Sequence, residues 1–420
     1  MGRPGLGARA LAGSLAGPRL VALVCAAQVL VQLGAFFWPA LIPTLMPLWG
    51  LTNSEAGWIT AVFYAAYLVA VPVLVTLTDR VDAKRVYLVG VACTVAGHSL
   101  FALLADGLWS ALASRALAGI GWAGTYMTGL KLLADQVDAK LMSRAVTGHA
   151  ASIGVSGALS FSVAGLLAGR FGWQSAFLAA AVCAAVAWLV VAIAVPRREA
   201  PAQPPADGKA LFDFRPVLRN RSAMAYAIAY CVHTLEMNAL RGWGVAFLAW
   251  VAVGTGAAGS PFSPTLVLTA LGLVGTLASV LGNEAAIRWG RLRLVAVVMG
   301  ASVVIGAGIG FAGALSYPLA VALMAVYGFV VWMDSASLTA GTAGTAEPSR
   351  RGATLAVHSM LGYAGGFLGP LLVGLILDLS GGMSRLGWGL GFLSIAVLVL
   401  LALAAFLGMR PEEAAGDRAG

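Results

Sequence analysis

Charged residues are scarce in this sequence. Of its 420 residues only 26 are Lys or Arg and 17 are Asp or Glu, a charged share of 10%, whereas roughly 25% is usual for a soluble domain. So few charges cannot cover the surface of a water-soluble protein of this length, which excludes an ordinary soluble enzyme and a disordered chain. The four cysteines lie in apolar stretches without paired spacing and indicate neither a disulfide framework nor a zinc site.

Long apolar runs are abundant instead, since 60% of the residues are hydrophobic. A helix crosses a bilayer with roughly 20 mostly apolar residues, and the runs are continuous, which disfavours strands of alternating polarity. Twelve such stretches predict an all-α membrane protein: 20–45, 55–78, 86–105, 108–134, 144–168, 173–195, 222–252, 264–287, 294–314, 317–341, 352–377 and 386–408.

One long polar break, 196–221, divides the predicted spans into six and six. The sequence therefore predicts an N-terminal six-helix bundle over 20–195, a cytoplasmic linker over 196–221 and a C-terminal six-helix bundle over 222–408. A basic tail over 1–19 and a tail over 409–420 flank the bundles, and we expect both in the cytoplasm.

Positive charge is distributed in a way that predicts this orientation. With both termini inside, 22 of the 26 Lys and Arg residues fall in cytoplasmic segments, and only Arg170 and Arg385 fall in external ones. This is the positive-inside pattern of a multi-pass membrane protein. The net charge of +9 is therefore an orientation signal, and no nucleic-acid partner is expected.

A basic turn follows the second span and recurs after the eighth, 208 residues later, as D-R-V-D-A-K-R (79–85) and I-R-W-G-R-L-R (287–293). Matching turns in two six-helix halves are typical of transporters with parallel repeats. The predicted fourth span also contains Arg115 followed by Gly119 and Gly121, and the eleventh reads G-F-L-G-P-L-L-V-G from Gly366.

With these motifs the sequence resembles the major facilitator superfamily from about residue 20 to 408. The resemblance implies that the turn residues act at a cytoplasmic gate, with Asp79 as the latch between the halves; they are Asp79, Arg80, Lys84, Arg85, Arg288 and Arg291. Segments at 38–43, 53–58, 171–177 and 233–243 resemble the cyanate- and nitrate-permease-like bacterial branch, which implies a bacterial cytoplasmic (inner) membrane and small anions as substrates.

Ionisable groups inside the membrane are costly, about 2.5–3.5 kcal/mol each on insertion scales, so each is a candidate for function. In span 7, His233, Glu236 and Arg241 share a helix face about 140° wide. We predict that Glu236 exchanges a proton with the help of His233, Asp334 and His358; the alternative is a structural cluster with Glu236 permanently paired. Asp334 and His358 lie at similar depth and are predicted to pair, as a gate, a structural tie or a proton relay.

Two arginines in opposite halves, Arg115 and Arg241, are predicted to hold an anion between them, because guanidinium binds planar anions through paired hydrogen bonds. For Arg115 a packing role, with hydrogen bonds to carbonyls, is the competing interpretation. Trp38, Tyr64 and Trp243 are further candidates for substrate contact. Together with Phe36, Phe37 and Tyr67 they would form the aromatic wall of a carrier for amphipathic compounds.

The sequence thus predicts a secondary transporter that moves a small anionic solute by alternating access, as a proton-coupled symporter or permease. The alternative is a proton-driven efflux carrier for multidrug or amphipathic compounds. No H-E-x-x-H, G-x-S-x-G or phosphate-loop motif supports an enzyme. No cofactor or metal is expected, and the expected partners are the solute, protons and the lipid bilayer, with the protein a monomer.

Overall fold

The computed structural model describes residues 17–78, 80–197 and 214–413, and every regular element in these ranges is helical. Asp79, most of the predicted tails and 198–213 of the predicted linker lie outside the described residues. The spans, numbered here in chain order, are span 1 (Pro18–Gln32 and Phe37–Leu48), span 2 (Asn53–Leu77), span 3 (Ala83–Leu104), span 4 (Leu108–Ala123 and Tyr126–Gln136), span 5 (Ala139–Phe171), span 6 (Trp173–Ala194), span 7 (Arg221–Gly254), span 8 (Pro264–Trp289), span 9 (Arg291–Ala312), span 10 (Tyr317–Met333 and Ser335–Gly344), span 11 (Arg351–Leu379) and span 12 (Arg385–Met409).

Length and composition support the membrane assignment. Ten helical stretches of the described chain are long and apolar enough to cross a bilayer. The other two predicted spans are span 4, which is divided near its middle, and span 7, which carries Glu236 and Arg241. The predicted fold class, an all-α membrane protein with twelve helices in two sets of six, is confirmed.

By their contacts the residues form two compact units. The first comprises Met1–Phe37 and Ala65–Ala206, and the second comprises Trp38–Tyr64 and Asp207–Gly420. The second unit therefore includes the end of span 1 and the start of span 2 in addition to spans 7 to 12. In this one segment, Trp38–Tyr64, the two units differ from the six-helix bundles predicted from the polar break. The bundle limits stay a prediction.

Span 1 is interrupted between Gln32 and Phe37, and Pro39 explains the interruption. Proline has no backbone N–H, so the carbonyl of Ala35, four residues earlier, loses its helical donor. In the first unit Nη2 of Arg115 donates to that carbonyl at 3.0 Å. Arg115 thus supplies the hydrogen bond that proline removes from span 1.

Spans 7 and 11 pack at very short distance because span 11 presents glycines to span 7. A Cβ placed on Gly365 would lie 2.0 Å from the carbonyl oxygen of Cys231, and one on Gly369 would lie 2.1 Å from that of Leu235. At the same interface Thr234 donates its hydroxyl to the carbonyl of Gly362 at 2.7 Å. Small residues permit this backbone contact, as is usual between helices in membranes.

Candidate functional site

Glu236 lies in the middle of span 7 and is 4% exposed. Its Oε1 accepts a hydrogen bond from Oη of Tyr327 on span 10 at 2.7 Å and another from Oγ of Ser302 on span 9. A buried carboxyl group needs such donors, since burial without them is costly. Three helices of the second unit therefore converge on this side chain, and its partners are neutral hydroxyl groups.

One helical turn before Glu236, Nδ1 of His233 lies 2.8 Å from Oδ1 of Asp334. The two side chains are 2% and 4% exposed, and these two atoms do not form a hydrogen bond. Asp334 stands where span 10 divides into two helical segments. We call Glu236, His233 and Asp334 the acid–histidine cluster; the structure brings these three predicted residues together in the second unit.

His358 on span 11 contacts span 10 at other residues. Its Nε2 lies 3.2 Å from the hydroxyl of Thr339, and its Nδ1 lies 3.0 Å from that of Thr342. The predicted pairing of His358 with Asp334 is therefore wrong, because Asp334 lies beside His233 instead.

Tyr230 connects this histidine to the acid–histidine cluster. The ring of His358 stacks on that of Tyr230 with centroids 3.9 Å apart, and the ring of His233 lies 5.7 Å from Tyr230 on its own helix. The four residues predicted to handle protons thus lie in one region of spans 7, 10 and 11, with the ring of Tyr230 between the two histidines.

Arg241 is half-buried on span 7, and its guanidinium carbon lies 4.2 Å from the ring centroid of Trp332 on span 10. A guanidinium over an indole face is a favourable cation–π arrangement. The side chains of Tyr64 and Tyr230 lie near the guanidinium group of Arg241. Glu236 contacts hydroxyl groups rather than Arg241, so the permanent Glu236–Arg241 pair of the alternative interpretation is not formed.

The three aromatic candidates for substrate contact are buried, and their polar atoms have protein partners. Nε1 of Trp38 donates to the carbonyl of Ala56 at 3.1 Å, and Nε1 of Trp243 donates to that of Pro370 at 2.7 Å. Oη of Tyr64 donates to Oδ1 of Asn238 at 2.7 Å. Of the three, Tyr64 lies near Arg241.

A small cavity adjoins Glu236 within the second unit. Four aromatic side chains of spans 7, 10 and 12 line it, Trp243, Tyr327, Trp388 and Phe392, together with aliphatic residues. Nε1 of Trp388, which is fully buried, makes no hydrogen bond with the described residues. The carboxyl group of Glu236 is thus the acidic group of an otherwise apolar space.

The residues of the basic turns fall into two groups. Arg80, Arg85 and Arg288 are exposed, as phosphate-facing or solvated charges would be. Lys84 and Arg291 are buried and bond to their own halves, Lys84 to the carbonyls of Ala192 and Val195 and Arg291 to Asn283 and the carbonyl of Ser337. Asp79 lies outside the described residues, so its predicted latch role stays a prediction.

Sequence reasoning missed several polar residues of this region. Ser302 and Tyr327, which bind Glu236, stand in apolar spans without any motif. Asp378 near the end of span 11 was missed as well, although it accepts hydrogen bonds from Asn53 and Ser54 at the start of span 2. Nothing in the sequence distinguishes Ser302 and Tyr327 from the other hydroxyl residues of the spans, and Asp378 lies one residue beyond the predicted limit of span 11.

Comparison with known proteins agrees with this architecture. Residues 24–340 match the model of the Major Facilitator Superfamily, so the chain belongs to that family of transporters. It is 27% identical to human protein spinster homolog 1 over 241 residues, which are 54% of this chain and 45% of that protein. It is also 27% identical over 155 residues to the uncharacterized MFS-type transporter YbcL of Bacillus subtilis (strain 168), which are 36% of this chain and 38% of that one.

The chain thus matches less than half the length of these two curated relatives. Solved structures resemble it over nearly its whole length. A bacterial homolog of the human lysosomal transporter spinster, in an inward-facing and unoccupied conformation, has a TM-score of 0.76 at 13% identity and covers 97% of this chain and 98% of its own. The nucleoside transporter NupG has a TM-score of 0.73 at 14% identity, with 92% and 98% covered. Both likenesses concern the fold.

Proposed function

We propose that this secondary transporter moves a small anionic solute together with protons. The observation that carries the proposal is the separation of two charged groups on span 7. Glu236 is buried among neutral hydroxyl donors, whereas the guanidinium of Arg241 lies over Trp332. One helix thus holds a proton-exchanging carboxyl group and, a turn and a half away, a binding group for an anion.

Proton handling extends from Glu236 toward the predicted cytoplasmic end of span 7. His233 and Asp334 lie within one helical turn of Glu236, and Tyr230 links them to His358. Imidazole and carboxyl groups exchange protons near physiological pH, so histidines beside acids suit a relay. In this proposal a proton moves between Glu236 and the predicted cytoplasmic side along these side chains.

Solute binding is assigned to Arg241 and Tyr64. A guanidinium group binds a planar carboxylate through two parallel hydrogen bonds, and that of Arg241 packs on the ring of Trp332. Arg115 is assigned a supporting role instead, because its bond to the Ala35 carbonyl replaces the donor that Pro39 lacks. The predicted cytoplasmic orientation of both termini and the bacterial inner membrane belong to the same proposal.

A second candidate function is a proton-driven carrier of amphipathic compounds. It is favoured by Glu236 itself, whose partners are hydroxyls and whose neighbouring cavity is lined by tryptophan and phenylalanine. A carboxyl group without an arginine partner in an aromatic wall suits a lipophilic cation. The two candidates differ in the sign of the charge that the solute brings to the site.

Ligand-induced thermal stabilisation of the purified protein distinguishes the two candidates. We expect benzoate or cyanate to raise the melting temperature. At a hundredfold excess over Kd, the bound anion adds about 2.7 kcal/mol to the free energy of unfolding. Arg241→Lys should remove most of that gain, because an ammonium group lacks the planar fork. Arg288→Lys, an exchange at an exposed arginine, is the matched control. Stabilisation by tetraphenylphosphonium and by neither anion would support the amphipathic carrier instead.

A further inference from the structure

Two hydroxyl groups converge on one oxygen of Glu236. Oη of Tyr327 donates to Oε1 at 2.7 Å, and Oγ of Ser302 donates to the same atom. Both donors are 1% exposed. A carboxylate oxygen has two acceptor positions, so these two donors occupy those of Oε1.

Other groups that face Glu236 come from its own helix and from span 10. His233 and Asp334 both interact with it electrostatically, and neither is hydrogen-bonded to its oxygens. The aromatic cavity adjoins the same residue. Within the part of the chain that the structure describes, both hydroxyl donors of Glu236 bind Oε1 and none binds Oε2.

We propose that Tyr327, with Ser302, is a positioning residue that directs the transported proton to Oε2 of Glu236. This inference rests on the proposed function, in which Glu236 exchanges the proton. Because two donors occupy Oε1, Oε2 is the oxygen that remains to accept the proton. The same two hydrogen bonds hold the carboxyl group against spans 9 and 10. Tyr327 and Ser302 themselves keep their protons.

Infrared difference spectra between acidic and alkaline buffer test the inference without any solute. The wild type should show a C=O band of a protonated carboxyl group that Glu236→Gln lacks. In Tyr327→Phe that band should shift to higher wavenumber, because the carbonyl oxygen loses a hydrogen bond, and Ser302→Ala should shift it in the same direction. Tyr317→Phe is the matched control, since that tyrosine of span 10 donates to the carbonyl of Phe262.

The outcomes separate the two levels of the proposal. If the Glu236→Gln spectrum retains every carboxyl band, Glu236 takes up no proton and the proposed function fails. If Glu236→Gln removes the band but Tyr327→Phe and Ser302→Ala leave its position unchanged, the positioning role is refuted while the coupling role of Glu236 stands. Ser302→Ala keeps the test decisive should Tyr327→Phe fold poorly.

An independent observation concerns the predicted external ends of spans 2 and 11. Oδ1 of Asp378 accepts hydrogen bonds from the backbone N–H of Asn53 at 3.0 Å and from its Nδ2 at 2.7 Å. Oδ2 accepts the backbone N–H of Ser54 at 2.7 Å. The first N–H groups of a helix lack partners within it and carry partial positive charge, so a carboxylate from another helix is strongly favoured there.

Backbone contacts surround this carboxylate. A Cβ placed on Gly374 of span 11 would lie 2.4 Å from the carbonyl oxygen of Asn53, and one on Gly57 of span 2 would lie 2.8 Å from that of Pro370. Trp58 and Phe367 meet edge to face at 5.6 Å. Spans 2 and 11 are thus held together by three hydrogen bonds to one side chain, and no bulky side chain separates their backbones here.

We infer that Asp378 is a latch that keeps the external ends of spans 2 and 11 closed and that breaks whenever this side opens. Alternating access requires helices from the two halves to separate on one side at a time. Because the carboxylate of span 11 binds backbone groups of span 2, separation of these helices must break all three hydrogen bonds at once.

Distances between spin labels at Leu48 and Leu386 test the latch in a variant whose four cysteines are replaced. Both positions are exposed, at 60% and 56%. Asp378→Ala should increase the long-distance population at least about tenfold, since a hydrogen bond to a charged group contributes about that factor. Asp378→Asn, which keeps the shape, should give a smaller increase in the same direction.

Glu55→Ala is the matched control, because Glu55 accepts hydrogen bonds from Thr52 at the same end of span 2 but within its own segment. Its distance distribution should equal that of the wild type. An unchanged distribution in both Asp378 variants would overturn the latch, and so would an equal opening in Glu55→Ala.

Discussion

Glu236→Gln is expected to abolish accumulation of solute by a proton gradient while leaving solute exchange intact. Glutamine has the same shape and its carbonyl oxygen accepts the same hydroxyl groups of Tyr327 and Ser302, so the helices keep their contacts. It takes up no proton. A gradient of about 100 mV is worth about 2.3 kcal/mol per charge, or roughly 50-fold accumulation for one coupled proton. The variant should accumulate no more than protein-free liposomes, into which neutral benzoic acid diffuses passively.

Uptake of labelled benzoate into liposomes, with and without an imposed proton gradient, measures this. Exchange of internal for external benzoate at equal pH reports whether the variant still binds and moves the solute. Glu284→Gln is the control, since Glu284 is an exposed acid of span 8, and it should concentrate benzoate like the wild type. If Glu236→Gln still concentrates benzoate under the gradient, another group couples the proton.

Most of the fold could be predicted because the bilayer imposes it. Continuous apolar length, the polar break at 196–221 and the distribution of basic residues predict twelve helices in two sets of six before any contact is known. Interruptions inside the spans were harder to predict. Pro39 indicates a kink in span 1, but only the structure shows that Arg115 of span 4 replaces the missing donor. That exchange depends on which helices are neighbours, and the sequence does not encode it locally.

For the candidate site too, the sequence predicted some features and only the structure shows the others. Position along the helices predicted similar depths for Asp334 and His358, and depth alone suggested that they pair. Rotation about the helix axis decides the partner, and it turns Asp334 toward His233 and His358 toward Thr339 and Thr342. Rotation depends on packing, so a pattern of residues in one span cannot specify it.

The hydroxyl partners of Glu236 show a second limit. A serine or threonine within a helix satisfies its own hydroxyl by bonding a carbonyl four residues earlier, as Thr60 does with Ala56. A hydroxyl residue in an apolar span therefore needs no partner on another helix. Ser302 and Tyr327 were recognised as site residues only through their contacts with Glu236. The sequence had indicated Glu236 itself, because a charged residue inside a membrane span is costly.

Gly369→Ala and Gly365→Ala are expected to destabilise the protein strongly, with less folded protein recovered from membranes. The added methyl group would lie 2.1 Å from the carbonyl oxygen of Leu235 in one variant and 2.0 Å from that of Cys231 in the other. Both obstacles are backbone atoms of span 7, so no rotamer change relieves the clash and the two helices must separate. Overpacking of this kind costs about 1–3 kcal/mol or more at each site.

Separation of spans 7 and 11 would also lengthen the hydrogen bond from Thr234 to the carbonyl of Gly362. The double variant should therefore lose more stability than either single variant. Melting temperatures in detergent measure this, with Gly352→Ala as the control, because a Cβ on that glycine of span 11 meets nothing within 4 Å. Equal melting of Gly369→Ala and the control would show that the helices yield easily. The glycines would then serve sliding of span 11 along span 7, and solute exchange rather than stability would suffer in these variants.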